Sequence, residues 1–233
     1  MHIGIIGATG NIGQRILAEA LGRGHQVTAF TRHESHIGAA DSRVTWKVVD
    51  VLDSESVVSV IGGLDVLISG YQPGNASKNL SDTLERSIRN PNVYVTAANA
   101  LLKAMEKHLR LRLIVIGGAG SLEVAPGTTR ADSPEQLRES LRELGLPEAY
   151  EAAVRGHRDA LNTYRLSNRL WTYVSPAEQI YAGERTGRFR LGVDQPVLDA
   201  EGKSRVSFED FAIAIVDEVE LPRHVQRRFT IGY

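Results

Sequence analysis

Three glycines near the start of the chain are spaced as a turn that could hold a diphosphate group. They stand in the run Gly7-Ala8-Thr9-Gly10-Asn11-Ile12-Gly13, which follows the apolar residues 3–6. Glycines let the backbone turn tightly and approach a pyrophosphate closely, and the free N–H groups of the helix that follows attract its negative charge. Because the turn lies between a predicted strand and an amphipathic helix, we predict a dinucleotide site there. Its predicted binding residues are Gly7, Thr9, Gly10, Asn11, Ile12 and Gly13.

The end of the second predicted strand bears on the choice of dinucleotide. This strand, residues 27–31, leads into Thr31-Arg32, and no carboxylate follows before Glu34. A carboxylate there would bind the ribose 2′-hydroxyl of NAD, whereas an arginine accommodates the 2′-phosphate of NADP. We therefore predict that Arg32 favours NADPH over NADH, with Arg15 as a second candidate cation. A solvent-exposed Arg32 that meets no ligand is the alternative.

Three more predicted strand ends should meet along the same edge of the sheet. In parallel sheets, ligands bind beyond the carboxyl ends of the strands, where the strand order reverses. The residues after the third strand are expected to contact the adenine, and the small residues after the fifth strand to lie beside the ribose and nicotinamide. The candidate residues are Asp50 and Val51 after the third strand, Ser69, Gly70 and Tyr71 after the fourth, and Gly117, Gly118 and Ala119 after the fifth.

The elements that must position these residues alternate between strands and helices. Such alternation predicts right-handed βαβ units and an α/β fold, a Rossmann-type doubly wound parallel sheet flanked by helices. We expect residues 1–233 to form a single NAD(P)-binding domain, in which residues from about 175 to 233 form a small C-terminal lobe on the substrate side. The predicted strands are 3–6, 27–31, 44–49, 65–69, 111–116, 170–174, 189–191, one ending near 206, and 228–231; the predicted helices are 14–23, 54–61, 93–108, 134–144, 147–166 and 208–219.

Composition narrows the function classes further. The chain has 233 residues, a formal net charge of −1 and no cysteine, which excludes disulfides, thiolate zinc sites and cysteine nucleophiles. With no basic stripe, we expect no nucleic-acid partner. With no signal-like start and no apolar run of about 20 residues, we expect no membrane partner and a cytoplasmic location. A small-molecule substrate, no metal site and a monomer or homodimer complete these expectations.

The whole chain resembles the atypical short-chain dehydrogenase/reductases and, more narrowly, the NADH-flavin reductases related to biliverdin reductase B. The resemblance implies a Rossmann-type sheet, a nicotinamide cofactor with Pro176 and Ala177 among its binding residues, and reduction of a flavin such as FMN or FAD or of a similar planar acceptor. The stretches that carry it are the glycine turn, Thr31-Arg32, residues 115–122, Ser175-Pro176-Ala177, residues 183–187 and 190–192, residues 207–212 and residues 228–233.

The usual catalytic residues of that superfamily are missing. Typical members use a serine after the fifth strand and a Tyr-x-x-x-Lys on the next helix, the tyrosine acting as proton donor. Here the serine position falls near Gly118, and Tyr150 is followed by Val154 where the lysine belongs. Hydride transfer to a flavin or quinone-like acceptor depends mainly on positioning, which suits such a site. His157 is the candidate proton donor, with a packing role as the alternative, and Ser121 is the second candidate catalytic residue.

Three functions remain open from the sequence. The first is an NAD(P)H-dependent oxidoreductase that reduces a flavin or similar acceptor, over which an arginine-rich loop at 183–192 closes with Arg185, Arg188 and Arg190 toward an anionic group. A solvent-exposed basic loop is the alternative for that segment. The second function is a non-catalytic redox sensor of the NmrA-like type. The third is a sugar-nucleotide epimerase or dehydratase, which ranks last because those enzymes keep the Tyr-x-x-x-Lys and are longer.

Overall fold

The computed structural model describes residues 1–38 and 41–233. Within these residues the strands are β1 (His2–Ile6), β2 (Gln26–Thr31), β3 (Val44–Val48), β4 (Val66–Ser69), β5 (Arg112–Ile116), β6 (Glu123–Ala125), β7 (Thr128–Thr129), β8 (Trp171–Ser175), β9 (Gln179–Tyr181), β10 (Arg190–Gly192), β11 (Arg205–Ser207) and β12 (Arg227–Gly232). The helices are α1 (Asn11–Gly22), α2 (Ser54–Val60), α3 (Leu80–Arg89), α4 (Val93–Met105), α5 (Pro134–Glu143), α6 (Glu151–Arg165) and α7 (Phe208–Glu220).

An eight-stranded sheet forms the centre of the molecule, in the order β10-β12-β8-β5-β4-β1-β2-β3. Neighbouring strands run parallel except β10, which lies antiparallel to β12 at one edge. The chain builds outward from β1 to β3 and then crosses back to β4 on the other side of β1. This reversal places a crevice at the carboxyl ends of β1 and β4, as the Rossmann-type prediction requires.

Helices cover both faces of the sheet, which explains the continuous apolar strands. Apolar side chains of α2, α4 and α6 pack on one face around Leu67, Leu113 and Tyr173. Those of α1 and α7 pack on the other face around Ile5 and Ile68. In the ranges described, no helix is both long and apolar enough to cross a membrane.

One helix, α3, is absent from the sequence prediction. Its buried positions are the polar Thr83 and Ser87, so the usual stripe of buried apolar residues does not mark it. The sequence does contain one helical signal in this segment, namely two acidic residues that are each followed four positions later by an arginine. Arg86 pairs with Asp82 at 2.8 Å and Arg89 with Glu85 at 2.6 Å.

The segment after residue 175, expected as a substrate-side lobe, is divided between the main domain and a smaller unit. Strand β12 lies inside the main sheet between β8 and β10, because Phe229 and Ile231 are fully buried. Helix α7 packs on the same core as α1. Among the described residues after 175, the parallel pair β9–β11 stands apart from the main sheet, whereas β10, which lies between these two strands in the sequence, forms the edge of that sheet.

The loop at 183–188 is held against the start of α7 by one buried carboxylate. Asp210 accepts hydrogen bonds from the amides of Thr186 and Gly187, both at 2.8 Å, and from the hydroxyl of Tyr233 at 2.9 Å. Asp210 also belongs to the N-terminal cap of α7, because Ser207 accepts from its amide at 3.0 Å. The loop is thus fixed by internal hydrogen bonds.

Two of the three arginines predicted to meet an anionic acceptor bind protein groups instead. Arg185 pairs with Glu19 of α1 at 2.9 Å. Arg190 donates to the backbone carbonyls of Leu198 and Tyr233. Glu19 thus matches the charge of Arg185, whereas the groups that Arg190 binds are backbone carbonyls.

Candidate active site

The glycine turn leaves no room for side chains at two of its three glycines. Gly7 ends β1 with a φ of +83°, a conformation that favours glycine. A Cβ on Gly13 would lie 2.1 Å from the carbonyl oxygen of Gly7, so the first turn of α1 sits directly on the end of β1. Gly10 closes the turn by donating its amide to Gly7 at 2.9 Å. This is the tight backbone turn that the sequence motif predicts.

Helix α1 begins in a form suited to an anion. Its N-cap is Gly10, which has no side chain to satisfy the first amides, and its first turn carries no acidic residue. The first N–H groups of a helix have no partner within the helix, and they carry the positive end of its dipole. A cradle that a Cβ would fill and an uncapped helix start together fit the pyrophosphate of a dinucleotide.

The end of β4 completes the cradle on its other side. The amide of Gly70 donates to the carbonyl of Ile6 at 3.0 Å, and a Cβ on Gly7 would lie 2.6 Å from the carbonyl oxygen of Gly70. Ser69 is buried at the end of the strand, and Tyr71 is half-buried just beyond it. The structure therefore brings the predicted residues of the first and fourth strand ends into contact.

The loop that follows Tyr71 is hydrogen-bonded to the glycine turn. The sequence did not reveal this contact. Asn75 donates to the hydroxyl of Thr9 at 3.3 Å, and Ser77 donates to the backbone carbonyl of Thr9 at the same distance. The loop keeps its shape through an Asx turn in which the amide of Ser77 donates to Asn75 at 3.1 Å. Thr9 thus lies between α1 and this loop.

Arg32 stands at the end of β2 and is exposed, as predicted, but its guanidinium is partly engaged. It donates to the carbonyls of Pro73 at 2.7 Å and Gly74 at 3.2 Å. A guanidinium has five N–H donors, so others remain for a ligand phosphate. Arg15, the second candidate cation, pairs with Glu209 at 3.0 Å, and its guanidinium lies over the ring of Phe208.

The two residues predicted beside the adenine differ in accessibility. Asp50 is exposed, and its carboxylate accepts from the amide of Leu52 at 3.0 Å. The side chain of Val51 is buried in the core that α2 and α4 cover. Of these two side chains, Asp50 alone is open to a ligand.

At the end of β5 the small residues are required by aromatic rings packed beneath them. A Cβ on Gly117 would lie 2.0 Å from the ring of Tyr173, and one on Gly118 would lie 3.1 Å from the ring of His157. The hydroxyl of Tyr173 donates to the backbone carbonyl of His157 at 2.9 Å, which fixes the ring of Tyr173. Ala119 is half-buried in the same turn, and Pro176 and Ala177 are buried at the end of β8.

His157 lies where a proton donor was predicted, but in an uncharged form. Its ring stacks on Tyr94 with centroids 3.7 Å apart and on the other side meets Gly118. Burial lowers the pKa of His157 from 6.5 to about 4. The imidazole is therefore neutral near pH 7, so it can donate or accept a hydrogen bond but holds no readily released proton.

Tyrosines surround His157 on the side of α4. Tyr94 donates to Gln72 at 3.0 Å and shares a hydrogen bond of 3.0 Å with Ser87. Burial raises the pKa of Tyr94 and of Tyr150, so both phenols stay protonated. A cavity of about 20 Å³, enough for one water molecule, lies among these rings. Its lining includes Ser69, Tyr71, Tyr94, His157, Tyr164 and Tyr173.

Ser121, the second candidate catalytic residue, is fully buried. Its hydroxyl donates to the carbonyl of Gly118 at 2.7 Å and shares a 2.8 Å hydrogen bond with Ser175. Because the hydroxyl lies inside the fold, it cannot reach a substrate. The structure therefore gives Ser121 a role in shaping the turn after β5, which corrects its assignment as a catalytic residue.

The position of the missing lysine is occupied by a packing contact. A Cβ on Gly120 would lie 2.1 Å from the side chain of Val154, so α6 approaches the turn after β5 closely at this point. No group of three or more histidine, aspartate or glutamate side chains in the described part of the chain could hold a metal ion. The site thus combines two parts. One is the dinucleotide cradle, formed by the glycine turn and the end of β4, and the other is a neutral aromatic floor, formed by Tyr94, His157 and Tyr173.

A family model described as NAD(P)H-binding matches residues 7–220, which include the glycine turn and α7. The chain belongs to this NAD(P)H-binding family. The match covers most of the chain and agrees with the cradle at the glycine turn. The resemblance to atypical short-chain dehydrogenase/reductases is confirmed by this family together with the structural relatives.

Three solved structures match this family member over its whole length. One is a Burkholderia pseudomallei protein provisionally named as exported, with 38% identity, a TM-score of 0.79 and 100% of both chains covered. A Bacteroides thetaiotaomicron protein provisionally named an epimerase has 35% identity and a TM-score of 0.81, with 100% of this chain and 96% of that chain covered. A Streptococcus pneumoniae protein provisionally named an NADH-flavin reductase has 26% identity and a TM-score of 0.77, with 100% and 99% covered.

The burial of His157 predicts a pH-dependent loss of stability. Its folded-state pKa of about 4 lies below the usual 6.5, so between these values the unfolded chain binds a proton that the folded chain does not. Stability should fall as pH drops from about 6.5 to about 4, by roughly 3 kcal/mol from this residue. Urea unfolding of the wild type and His157→Phe at several pH values measures the difference.

A second variant serves as the control for that experiment. His108 is a half-buried histidine outside the site, and His108→Phe measures what the same substitution does away from the site. If wild type and His157→Phe lose the same stability on acidification, the inference of a neutral, buried imidazole is wrong.

Proposed function

We propose that this protein is an NAD(P)H-dependent oxidoreductase that passes a hydride directly to a flavin or a similar planar acceptor. The observation that carries the proposal is the neutral aromatic floor beside the dinucleotide cradle, where His157 packs under Gly118. When bound, the reduced nicotinamide supplies the hydride and both electrons. The family match and the Streptococcus pneumoniae relative support an oxidoreductase.

The residues of the chain contribute chiefly by positioning. The turn after β5 has no side chains at Gly117 and Gly118, and a planar ring can lie against the half-buried backbone of Gly118. His157 and Tyr94 make this surface rigid from below, since their rings are stacked and buried. Holding two reactants in a reactive geometry supplies a large part of the barrier reduction in such reactions. An oxidised flavin is already electrophilic, and its proton can come from water, so a protein acid is not needed.

A preference for NADPH is part of the proposal. Arg32 is exposed at the end of β2, and the loop carbonyls of Pro73 and Gly74 orient its guanidinium without neutralising it. No acidic side chain occupies the position that would bind a ribose 2′-hydroxyl, since the strand runs from Thr31 into Arg32. A phosphate at that strand end would meet a planar set of donors.

A non-catalytic redox sensor is the second candidate. The observation that favours it is the absence of a charged proton donor at the site, with His157 neutral and Ser121 buried. The epimerase alternative has weaker support: although the Bacteroides thetaiotaomicron relative bears that provisional name, Val154 stands in place of the lysine. A small-molecule substrate, a cytoplasmic location and a monomer or homodimer state also belong to the proposal.

The activity is tested by following NADPH oxidation with FMN, riboflavin and a quinone. We expect turnover with at least one of these acceptors and turnover roughly 100-fold slower or worse with a simple ketone, because a positioned acid typically contributes about 10²–10⁴-fold to such reductions. Tight NADPH binding without turnover of any planar acceptor would contradict the proposed reaction. Different affinities for the oxidised and reduced cofactor would then support the sensor.

Cofactor preference is tested by titrating both reduced dinucleotides into wild type and Arg32→Ala. Loss of a charge-assisted contact to phosphate should weaken NADPH binding by about 10-fold or more and leave NADH binding nearly unchanged. The control is Arg89→Ala, which removes an exposed arginine of α3 that is paired with Glu85. Equal affinity of the wild type for NADPH and NADH would overturn the preference.

A further inference from the structure

A buried arginine lies beneath the turn that follows β5. Arg228 belongs to β12, opposite Tyr173 of β8, and its side chain is 1% exposed. Its guanidinium donates to the backbone carbonyl of Ser121 and to the carboxylate of Asp194. The carboxylate of Glu123 lies 3.7 Å away. One cation is thus shared between a backbone carbonyl and two carboxylates that come from different segments.

The carbonyl that Arg228 holds belongs to the residue that shapes the turn. Ser121 donates both its amide, at 3.2 Å, and its hydroxyl, at 2.7 Å, to the carbonyl of Gly118. Its hydroxyl also shares a hydrogen bond with the hydroxyl of Ser175 in β8. Arg228 therefore fixes Ser121 from the side opposite to Gly118, and through Ser121 it sets the position of the turn at 117–122.

The same guanidinium also binds the segment that follows β10, through the carboxylate of Asp194. Asp194 accepts from Arg228 through its carboxylate and from the amide of Glu123 through its backbone carbonyl, the latter at 2.8 Å. This segment, the start of β6 and the strand β12 are held together at one point. A planar guanidinium can serve partners in two directions at once, which a lysine cannot do as well.

The polar side chains buried around Arg228 lower the stability of the folded protein. A cost of this kind favours a functional reason for keeping them. Arg228 Nε and Thr230 Oγ1 are buried and have no hydrogen-bond partner among the described residues, and the two residues lie on the same face of β12. A buried polar group left unsatisfied costs about 1–3 kcal/mol. Apolar side chains on this face would avoid that cost, and locally unfavourable choices of this kind concentrate at functional sites.

We propose that Arg228 is a positioning residue for hydride transfer. It holds the turn at 117–122 at the height and orientation that the nicotinamide ring requires, and it links that turn to the segment around Asp194. The inference rests on the proposed function, because that function places the nicotinamide on Gly117 and Gly118. Removal of Arg228 should impair the reaction far more than it impairs cofactor binding, since the glycine cradle at β1 is untouched.

The test compares Arg228→Met and Arg228→Lys with Arg227→Met, an exposed neighbour on the same strand. Arg228→Met should lower kcat with FMN by about 10-fold to 100-fold, the size expected when a reacting group is misplaced by about 1 Å. We expect the Kd for NADPH to change less than kcat, Arg228→Lys to recover part of the rate, and Arg227→Met to behave as wild type. A loss of NADPH affinity as large as the loss of kcat would overturn the proposal.

Amide hydrogen exchange separates this inference from the proposed function. The amides of Ser121 and Leu122 donate within the turn, to Gly118 and Ala119. They should exchange faster in Arg228→Met and in the milder variant Asp194→Asn, while the amide of Gly10 in the glycine turn keeps its wild-type rate. If the wild type reduces no acceptor but these two amides exchange faster, the proposed reaction is wrong and only the role of Arg228 in holding the turn at 117–122 stands. Unchanged exchange at both amides in both variants would overturn the positioning role.

Discussion

The site depends on backbone lying directly against backbone at the carboxyl ends of β1 and β4. The carbonyl of Gly7 faces the first turn of α1, where Gly13 has no space for a Cβ, and the carbonyl of Gly70 closes on Gly7 from β4. These contacts bring an uncapped helix start to the point where the strand order reverses. The dinucleotide cradle is therefore a property of the backbone, which explains why it is readable from three glycines.

At the end of β5, the other half of the site, close packing again restricts the residue type, but here aromatic rings take the place of the backbone. Tyr173 packs so closely against Gly117 that a side chain there is excluded, and His157 leaves little space at Gly118. The consequence is a bare turn above a stacked, neutral pair of His157 and Tyr94. Such a surface positions a flat ring well and provides little acid catalysis, which agrees with direct hydride transfer between planar groups.

The sequence predicts local features well because their causes are local. The strand–turn–helix at the glycines depends on a few adjacent residues, and so do the helices predicted at 134–144 and 208–219, which begin at Pro134 and after the capping Ser207. Helix α3 was missed because its buried face is polar. The partners of Arg15, Arg185 and Ser121 could not be predicted, because Glu209, Glu19 and Ser175 reach them from distant parts of the chain.

The link from Arg228 to the turn after β5 belongs to the same class of long-range contact. It joins β12 with residues more than a hundred positions earlier, so neither the residue type nor its spacing identifies it. The neutral state of His157 also depends on tertiary burial, which sequence position does not reveal. Strand ends can thus be assigned from sequence, whereas the charge state and rigidity of the groups beneath them require the fold.

The central claim, that a dinucleotide binds at the glycine turn, is tested most directly by titrating NADPH into Gly13→Ala and Gly22→Ala. Both changes add one methyl group to α1, but the Cβ at Gly13 meets the carbonyl of Gly7 at 2.1 Å and the one at Gly22 meets nothing within 4 Å. We predict that Gly13→Ala loses NADPH affinity by about 10-fold or more, equivalent to about 1.4 kcal/mol, while Gly22→Ala binds NADPH as the wild type does. Wild-type affinity in a folded Gly13→Ala protein would contradict it.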